Sequence, residues 1–203
     1  ELRYAGFDGI VLQGKAQGPS IILIEDESMR ILPAHELWGL GVFETTSMIR
    51  RKYGKKAKSL VIGQAGENLV NFACIINEGH HAHGRAGYGA VMGSKNIKAI
   101  IVKSSEQRYC PADPESLDKL KRELDVRIRE SVTSQVFHEN GTAANLEGAV
   151  HAGDVPIKNF TSSFWEEMAE ALTGSTLTET YLTNKAACAF CKIACKRVVR
   201  IDE

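Results

Sequence analysis

The segment GRAGYGAVMGSKNIKAIIVK, residues 84–103, is the most informative stretch about the fold of this chain. Residues 97–103 are largely apolar and β-branched, a pattern typical of a buried strand. The part before them carries glycines at 84, 87, 89 and 93. Glycine allows left-handed backbone conformations and close approach to a neighbour. The segment therefore predicts a glycine-rich turn that leads into a buried strand.

Further strands are expected upstream of this segment. Five runs of strand length precede it, and they predict strands at residues 9–14, 20–25, 29–32, 58–62 and 69–76. Residues 26–28 supply the turn between the second and third of these runs. Residues 43–53 instead have apolar positions near helical spacing and stop before Gly54, which predicts a helix.

Helical patterns replace strand patterns after Ser105. Asp113 and Pro114 are suited to the cap and the first turn of a helix. Leucines and an isoleucine at 117, 120, 124 and 128 then form one apolar stripe. Residues 164–182 predict a second helical region with a break near Gly174. We therefore expect an α+β protein, with a β-rich domain over residues 1–105, a helical region over residues 106–203 and a boundary near residues 104–112.

The overall composition excludes several classes of protein. The chain has 203 residues, and its 25 basic and 25 acidic side chains give a formal net charge of zero. This balance does not favour binding to nucleic acid or to an anionic membrane, and the apolar runs are too short to span a bilayer. Clustered cysteines argue for a reducing compartment, hence the cytoplasm. Both ends read as ordered structure, so we expect an internal piece of a longer protein.

The glycine-rich segment invites two explanations. Its glycines could present N–H groups to an anion, and Arg85 and Lys95 carry charge suited to phosphate. The spacing is neither that of a P-loop nor that of a dinucleotide-binding fingerprint. Cofactor binding and a purely structural turn therefore stay open. The histidines at 80, 81 and 83 are better explained as solvent-facing or hydrogen-bonded side chains than as a zinc site.

Cys188, Cys191 and Cys195 form a C-x2-C-x3-C pattern. Thiolates select zinc or iron–sulfur clusters, and either centre normally takes four ligands. Both remain open, with a fourth ligand outside the chain. Cys74 and Cys110 are isolated and are expected to be buried or incidental thiols.

Several segments together resemble one known family. In chain order they are AGFDGIV at 5–11, GENLV at 66–70, GRAGYGAVMGSKN at 84–96, PIKNF at 156–160 and the three cysteines. This order is similar to that of the tungsten-dependent aldehyde ferredoxin oxidoreductases, and the segment at 84–96 is its most specific part.

The resemblance implies an oxidoreductase that converts aldehydes to carboxylic acids. The family holds tungsten, or occasionally molybdenum, in the dithiolenes of two pterins, and electrons leave through a [4Fe-4S] cluster to ferredoxin. By matching positions, Cys188, Cys191 and Cys195 would bind the cluster. The segment from His81 through Gly84 to Arg85 would line one pterin. The main-chain carbonyl of Ala82 would bind the magnesium ion that joins the pterin phosphates.

Two positions depart from the family pattern, and two alternatives stay open. His81 stands where some members have arginine, and Lys192 follows Cys191 where proline is common. No catalytic acid or base is assigned within the chain, which is not expected to act alone. The alternatives are a relative that acts on aromatic acyl-CoA or another carbonyl substrate, and a non-catalytic zinc-binding module. The oligomeric state is left open, a homo-oligomer included.

Overall fold

The computed structural model describes residues 1–105 and 110–201 and forms two compact units, Glu1–Cys110 and Pro111–Glu203. A mixed sheet lies in the first unit, and helices predominate in the second. The α+β class is therefore confirmed. The part of the predicted boundary at residues 106–109 lies outside the described residues.

The first unit is built on a six-stranded sheet with the order β2-β1-β6-β3-β4-β5. The strands are β1 (Ser20–Glu25), β2 (Ser28–Pro33), β3 (Lys58–Val61), β4 (Ile75–Asn77), β5 (His81–His83) and β6 (Ile97–Lys103). Strand β6 lies parallel to β1 and antiparallel to β3. The buried strand predicted at 97–103 is confirmed, as is the β1–β2 pair.

An apolar core lies on each face of the central strands β1 and β6. Helix α1 (Val42–Tyr53) supplies Ile49 to one core, which includes Ile21 and Leu23 of β1. Ile22 and Ile24 of the same strand face a second core. Helix α2 (Gln64–Glu67) packs against α3 (Tyr88–Ser94). Because successive strand residues point to opposite faces, a strand buried on both faces is apolar without alternation.

Two strand predictions are wrong. Residues 9–14 form no strand, and Ile10 and Leu12 reach the second core from irregular chain instead. Residues 69–74 are not extended either, because Leu69 has a left-handed backbone (φ 57°) and the strand begins only at Ile75. In the second stretch Leu69 and Phe72 are exposed, and only Ala73 is buried.

The second unit is mainly helical. Its helices are α4 (Pro114–Glu130), α5 (Val132–Asn140), α6 (Leu146–His151), α7 (Glu166–Leu172) and α8 (Gly174–Thr180). The Asp113 side chain accepts a hydrogen bond from Ser116 N–H at 3.0 Å, which confirms the predicted cap. The break expected near Gly174 is at Thr173, where α7 ends and α8 begins.

A two-stranded antiparallel sheet closes the described part of this unit. Its strands are β7 (Leu182–Ala186) and β8 (Lys196–Val199). Strand β7 was not predicted from the sequence, and Leu182, which was expected to end a helical region, belongs to β7. In the described residues, no helix has both the length and the apolar character needed to cross a membrane.

Candidate functional site

The predicted pterin and magnesium residues share one exposed stretch of the first unit. His81 and Ala82 belong to β5, which lies at the end of the strand order and pairs with β4. Gly84 and Arg85 follow directly. His81 is half-buried, while the other three residues are exposed. An outer strand directs part of its backbone N–H and C=O groups away from the sheet, so this edge can offer main-chain groups to a ligand.

The glycines of the segment at 84–96 serve two different purposes. A Cβ on Gly87 would overlap the carbonyl oxygen of Asn71, and the φ of Gly87 is +68°. A Cβ on Gly89 would lie 2.5 Å from the carbonyl oxygen of Cys74, and one on Gly93 would overlap that of Gly66. These three glycines are therefore needed for packing within the chain. For them, the explanation as a structural turn is sufficient.

Gly84 differs from those three glycines. A Cβ at this position would meet no atom within 4 Å, and its backbone is right-handed helical (φ −83°, ψ −47°). Nothing in the local packing requires glycine there. A ligand that approaches the backbone closely would require it, so the cofactor explanation is retained at Gly84. Lys95 is engaged within the unit, because its Nζ donates to the carbonyl of Gly14 at 3.0 Å.

Sequence reasoning missed a buried ion pair between Lys98 and Glu67. Lys98 Nζ also donates to the carbonyl of Leu40 at 2.8 Å, and a Glu67 carboxylate oxygen accepts from Gly39 N–H at 2.9 Å. Three segments distant in sequence are joined in this way. The sequence did contain a signal for this ion pair, namely a lysine inside an otherwise apolar strand, because a buried charge needs a partner.

The three cysteines lie in the loop that connects β7 and β8. The loop contains a turn in which Cys191 N–H donates to the carbonyl of Cys188 at 3.1 Å. Phe190 and Ala194 have left-handed backbones, with φ of 61° and 54°. Cys188 is exposed, whereas Cys191 and Cys195 are half-buried.

The surroundings of Cys191 favour its thiolate form. The N–H groups of Ala194 and then Ile193 hydrogen-bond to its sulfur and lower its pKa below the ordinary value of 9.0, against a smaller opposing effect of burial. The charge of Lys196 acts in the same direction. Because the thiolate is the form that binds metals, the donor chemistry of this loop fits a soft metal or an iron–sulfur cluster.

The metal-binding geometry itself is not assembled. Across residues 1–105 and 110–201, no three side chains of His, Cys, Asp or Glu are grouped so that they could hold a metal ion. His80 and His81 contact each other at a ring-centroid distance of 4.9 Å. The three cysteines are thus brought into one loop, but their sulfur atoms do not converge on one point.

Comparison with known proteins agrees with the resemblance seen in the sequence. The family model for the aldehyde ferredoxin oxidoreductase N-terminal domain matches residues 1–104, and that for domains 2 and 3 matches residues 119–203. The tungsten-containing aldehyde ferredoxin oxidoreductases of Pyrococcus furiosus and Thermococcus kodakarensis are 41% and 39% identical over 203 residues, 99% of this chain. The chain spans 33% of the length of each.

The chain is also similar to proteins that are named for other reactions. The WOR-like subunit of the Pyrococcus furiosus aliphatic sulfonate oxidoreductase is 36% identical over 181 residues, which are 82% of this chain and 28% of that protein. Among solved structures, the active site complex BamBC of benzoyl coenzyme A reductase with 1,5-dienoyl-CoA matches with a TM-score of 0.76 and 25% identity. That match covers 100% of this chain and 32% of the other. Since the two family models together account for residues 1–104 and 119–203, the chain belongs to the aldehyde ferredoxin oxidoreductase family.

Proposed function

We propose that the protein containing this chain oxidises aldehydes to carboxylic acids and passes the electrons to ferredoxin. The observation that carries the proposal is the 41% identity to a tungsten-containing aldehyde ferredoxin oxidoreductase along 99% of the chain. Tungsten, or molybdenum in its place, held by two pterins would supply the redox chemistry. This chain would contribute part of the cofactor surroundings and part of the electron exit.

The exposed edge at β5 is proposed as one wall of a pterin site. His81, Gly84 and Arg85 would line the pterin, with the planar guanidinium of Arg85 suited to its phosphate. The carbonyl of Ala82 would be one oxygen ligand of the magnesium ion, which prefers such ligands. The open space at Gly84 and the exposure of Arg85 support this role.

The loop between β7 and β8 is proposed as three quarters of a cluster site. Cys188, Cys191 and Cys195 would ligate a [4Fe-4S] cluster, whose fourth thiolate would come from outside this chain. Such a cluster accepts and releases one electron at a time. The lowered pKa of Cys191 supports the assignment, because it favours the ligating thiolate.

The domain assignment belongs to the same proposal. Residues 1–105 would be the latter part of a β-rich pterin-binding domain, and residues 106–203 the beginning of a helical domain. We place the protein in the cytoplasm, where thiolates stay reduced. A homo-oligomer is compatible with the proposal.

A second candidate function is suggested by the solved structure that this chain matches. The benzoyl coenzyme A reductase complex was determined with a dienoyl-CoA, which favours an aromatic acyl-CoA as the alternative substrate. Its identity of 25% is lower than the 41% of the aldehyde enzyme. We therefore rank aldehyde oxidation first.

Metal analysis of the full-length protein, isolated without oxygen, tests these functions. We expect tungsten or molybdenum together with about four iron atoms per chain, and aldehyde-dependent reduction of ferredoxin. Reduction of an aromatic acyl-CoA without aldehyde oxidation would favour the second candidate. Zinc without iron or tungsten would reject both enzymes and support the zinc-binding module.

A further inference from the structure

The turn that joins β4 to β5 has a left-handed backbone. His80 N–H donates to the carbonyl of Asn77 at 3.2 Å, and the two residues between them have positive φ, 53° at Glu78 and 85° at Gly79. Positive φ at both central residues is what the type I′ hairpin turn requires. Glycine adopts this backbone freely, whereas a residue with a Cβ adopts it at an energetic cost. Contacts made by the Glu78 side chain must therefore compensate for that cost.

The Glu78 carboxylate binds groups of two other elements. One of its oxygens accepts from Ser59 N–H, on β3, at 2.7 Å. The other accepts from Nζ of Lys58 at 3.2 Å and from Nη2 of Arg50, on α1, at 3.1 Å. The side chain of Glu78 is only 15% exposed, and hydrogen bonds to a charged group are stronger than those between neutral groups. These three contacts hold Glu78 against β3 and α1.

The main chain of Glu78 contacts the same strand. Its N–H donates to the carbonyl of Ser59 at 3.1 Å, which extends the β3–β4 ladder by one pair beyond Leu60 and Asn77. In an antiparallel pair that exchanges both hydrogen bonds, the Ser59 N–H would donate to the carbonyl opposite. Here it donates to the Glu78 carboxylate instead. The side chain thus completes the last pair at the point where the chain enters the turn.

The position of β5 depends on this turn. Among the strands that the structure describes, β5 pairs only with β4 and lies at the edge of the sheet. The pairing places His81 opposite Asn77 and Ala82 opposite Ile76. Because the turn fixes the register of a hairpin, the residue that holds the turn also determines where the main chain of His81 and Ala82 lies.

We propose that Glu78 is a positioning residue for the edge at β5, and that it holds the turn so that the main chain of His81 and Ala82 is presented to the cofactor in one position. This inference rests on the proposed function, in which these two residues line a pterin and bind its magnesium ion. Glu78 touches neither group. Since the outer partners of a metal ligand strengthen its binding by fixing its orientation, a loosened turn should weaken the retention of magnesium.

Magnesium retention by the full-length protein, isolated without oxygen, tests the proposal. Glu78→Gly removes the carboxylate but suits the left-handed backbone, so a purely conformational role predicts wild-type retention. We expect instead that EDTA removes magnesium roughly tenfold faster from this variant than from wild type. Glu78→Gln, whose amide oxygen can still accept from Ser59 N–H, should release magnesium at a rate between the two.

Asp26→Gly is the matched control in the same sheet. Asp26 lies in the turn between β1 and β2, has a φ of 49°, and its carboxylate accepts from Ser105 N–H at 2.8 Å. It therefore resembles Glu78 in backbone and contacts, but it lies near the opposite end of the strand order, to which no cofactor residue is assigned. We expect magnesium release from Asp26→Gly to match that from wild type.

Amide hydrogen exchange of residues 81–83, measured in the full-length protein as isolated, supplies a second readout that needs no cofactor. Exchange should be faster in Glu78→Gly than in wild type, and close to wild type in Asp26→Gly. If either readout is unchanged in Glu78→Gly, or if Asp26→Gly has equal effects, the inference is overturned. If the wild-type protein contains neither pterin nor magnesium, the proposed function fails, and the exchange rates alone decide whether Glu78 positions β5.

Discussion

Lys98 and Glu67 form an ion pair whose side chains are 0% and 5% exposed. Lys98 lies in β6, and Glu67 lies at the end of α2. Their further hydrogen bonds to Leu40 and Gly39 attach the segment before α1 to the same pair. The pair thus holds α2 in place, and α2 is the helix against which the glycines of α3 pack.

Replacing Lys98 should destabilise the chain strongly. Lys98→Met leaves the Glu67 carboxylate buried without its cation, which is expected to cost about 3–5 kcal/mol in the free energy of unfolding. Urea denaturation followed by circular dichroism measures the loss. Lys52→Met is the control, because Lys52 and its partner Glu36 are exposed and the expected cost is below about 1 kcal/mol.

The double variant Lys98→Met with Glu67→Leu distinguishes an unpaired charge from lost packing. If the unpaired carboxylate is the cause, the double variant should recover much of the stability lost in Lys98→Met. Equal stability of Lys98→Met and Lys52→Met would show that the pair is not buried as described.

Two glycines of one segment should respond oppositely to alanine. Gly87→Ala places a methyl group against the carbonyl of Asn71 at a φ of +68°, so a loss of more than about 2 kcal/mol in the free energy of unfolding is expected. Gly84→Ala meets no atom and fits its helical backbone, so it should be neutral or slightly stabilising. Thermal denaturation compares the two variants.

Retention of the pterin cofactor by the full-length protein then separates packing from ligand contact at Gly84. A variant that folds normally but retains less cofactor indicates a backbone that the ligand approaches closely. Comparable thermal destabilisation of the Gly84 and Gly87 variants would contradict the different roles assigned to them.

Glu78 should contribute to stability in a pH-dependent manner. Burial alone would raise its pKa, but the N–H of Ser59 and the cations of Lys58 and Arg50 outweigh that effect and hold the pKa below the ordinary 4.5. Since the folded pKa is lowered, the stabilisation is fully present above pH 4.5 and is lost as the pH falls toward the folded pKa. Glu78→Gln should therefore lose about 1–2 kcal/mol at neutral pH.

Denaturation curves at several pH values measure this contribution. The difference between wild type and Glu78→Gln should shrink below pH 4.5, while the exposed Glu27→Gln control should show no such trend. A stability difference that stays constant down to acidic pH would argue against a charged role for Glu78.

Removing one predicted cluster ligand should affect iron but not the pterin metal. Cys191→Ser in the full-length protein is expected to lose most of its iron and its paramagnetic signal on reduction, because serine is a poor ligand for iron in place of a thiolate. Tungsten content should be retained. Cys110→Ser is the control, since Cys110 is an exposed thiol outside the pattern. Full iron content in Cys191→Ser would contradict the proposed ligand set.

Local patterns in the sequence were enough for much of the first unit and for one helix cap of the second. Strands β1 and β6, helix α1 and the Asp113 cap were all predicted correctly, because each depends on apolar spacing or capping within a few residues. The same reasoning failed for residues 69–74, where it predicted a strand. Their apolar side chains suit a strand, but the left-handed backbone at Leu69 directs the chain into a turn.

The candidate sites were likewise predicted only in part from the sequence. The cysteine spacing and the order of the family segments were visible in the sequence, and they led to the family that the comparisons identified. The sequence could not separate glycines that pack from a glycine that leaves room for a ligand, since both appear as the same residue. Only the neighbouring backbone atoms distinguish Gly87 from Gly84.

The sequence by itself therefore determined the family, the α+β class and the cysteine pattern. The tertiary structure alone decided that Lys98 meets Glu67, 31 residues away, and that His138 meets the cysteine loop at Ile193, 55 residues away. The physical reason is that capping and apolar periodicity act between near neighbours in the chain. Contacts across such separations depend on how the whole unit packs.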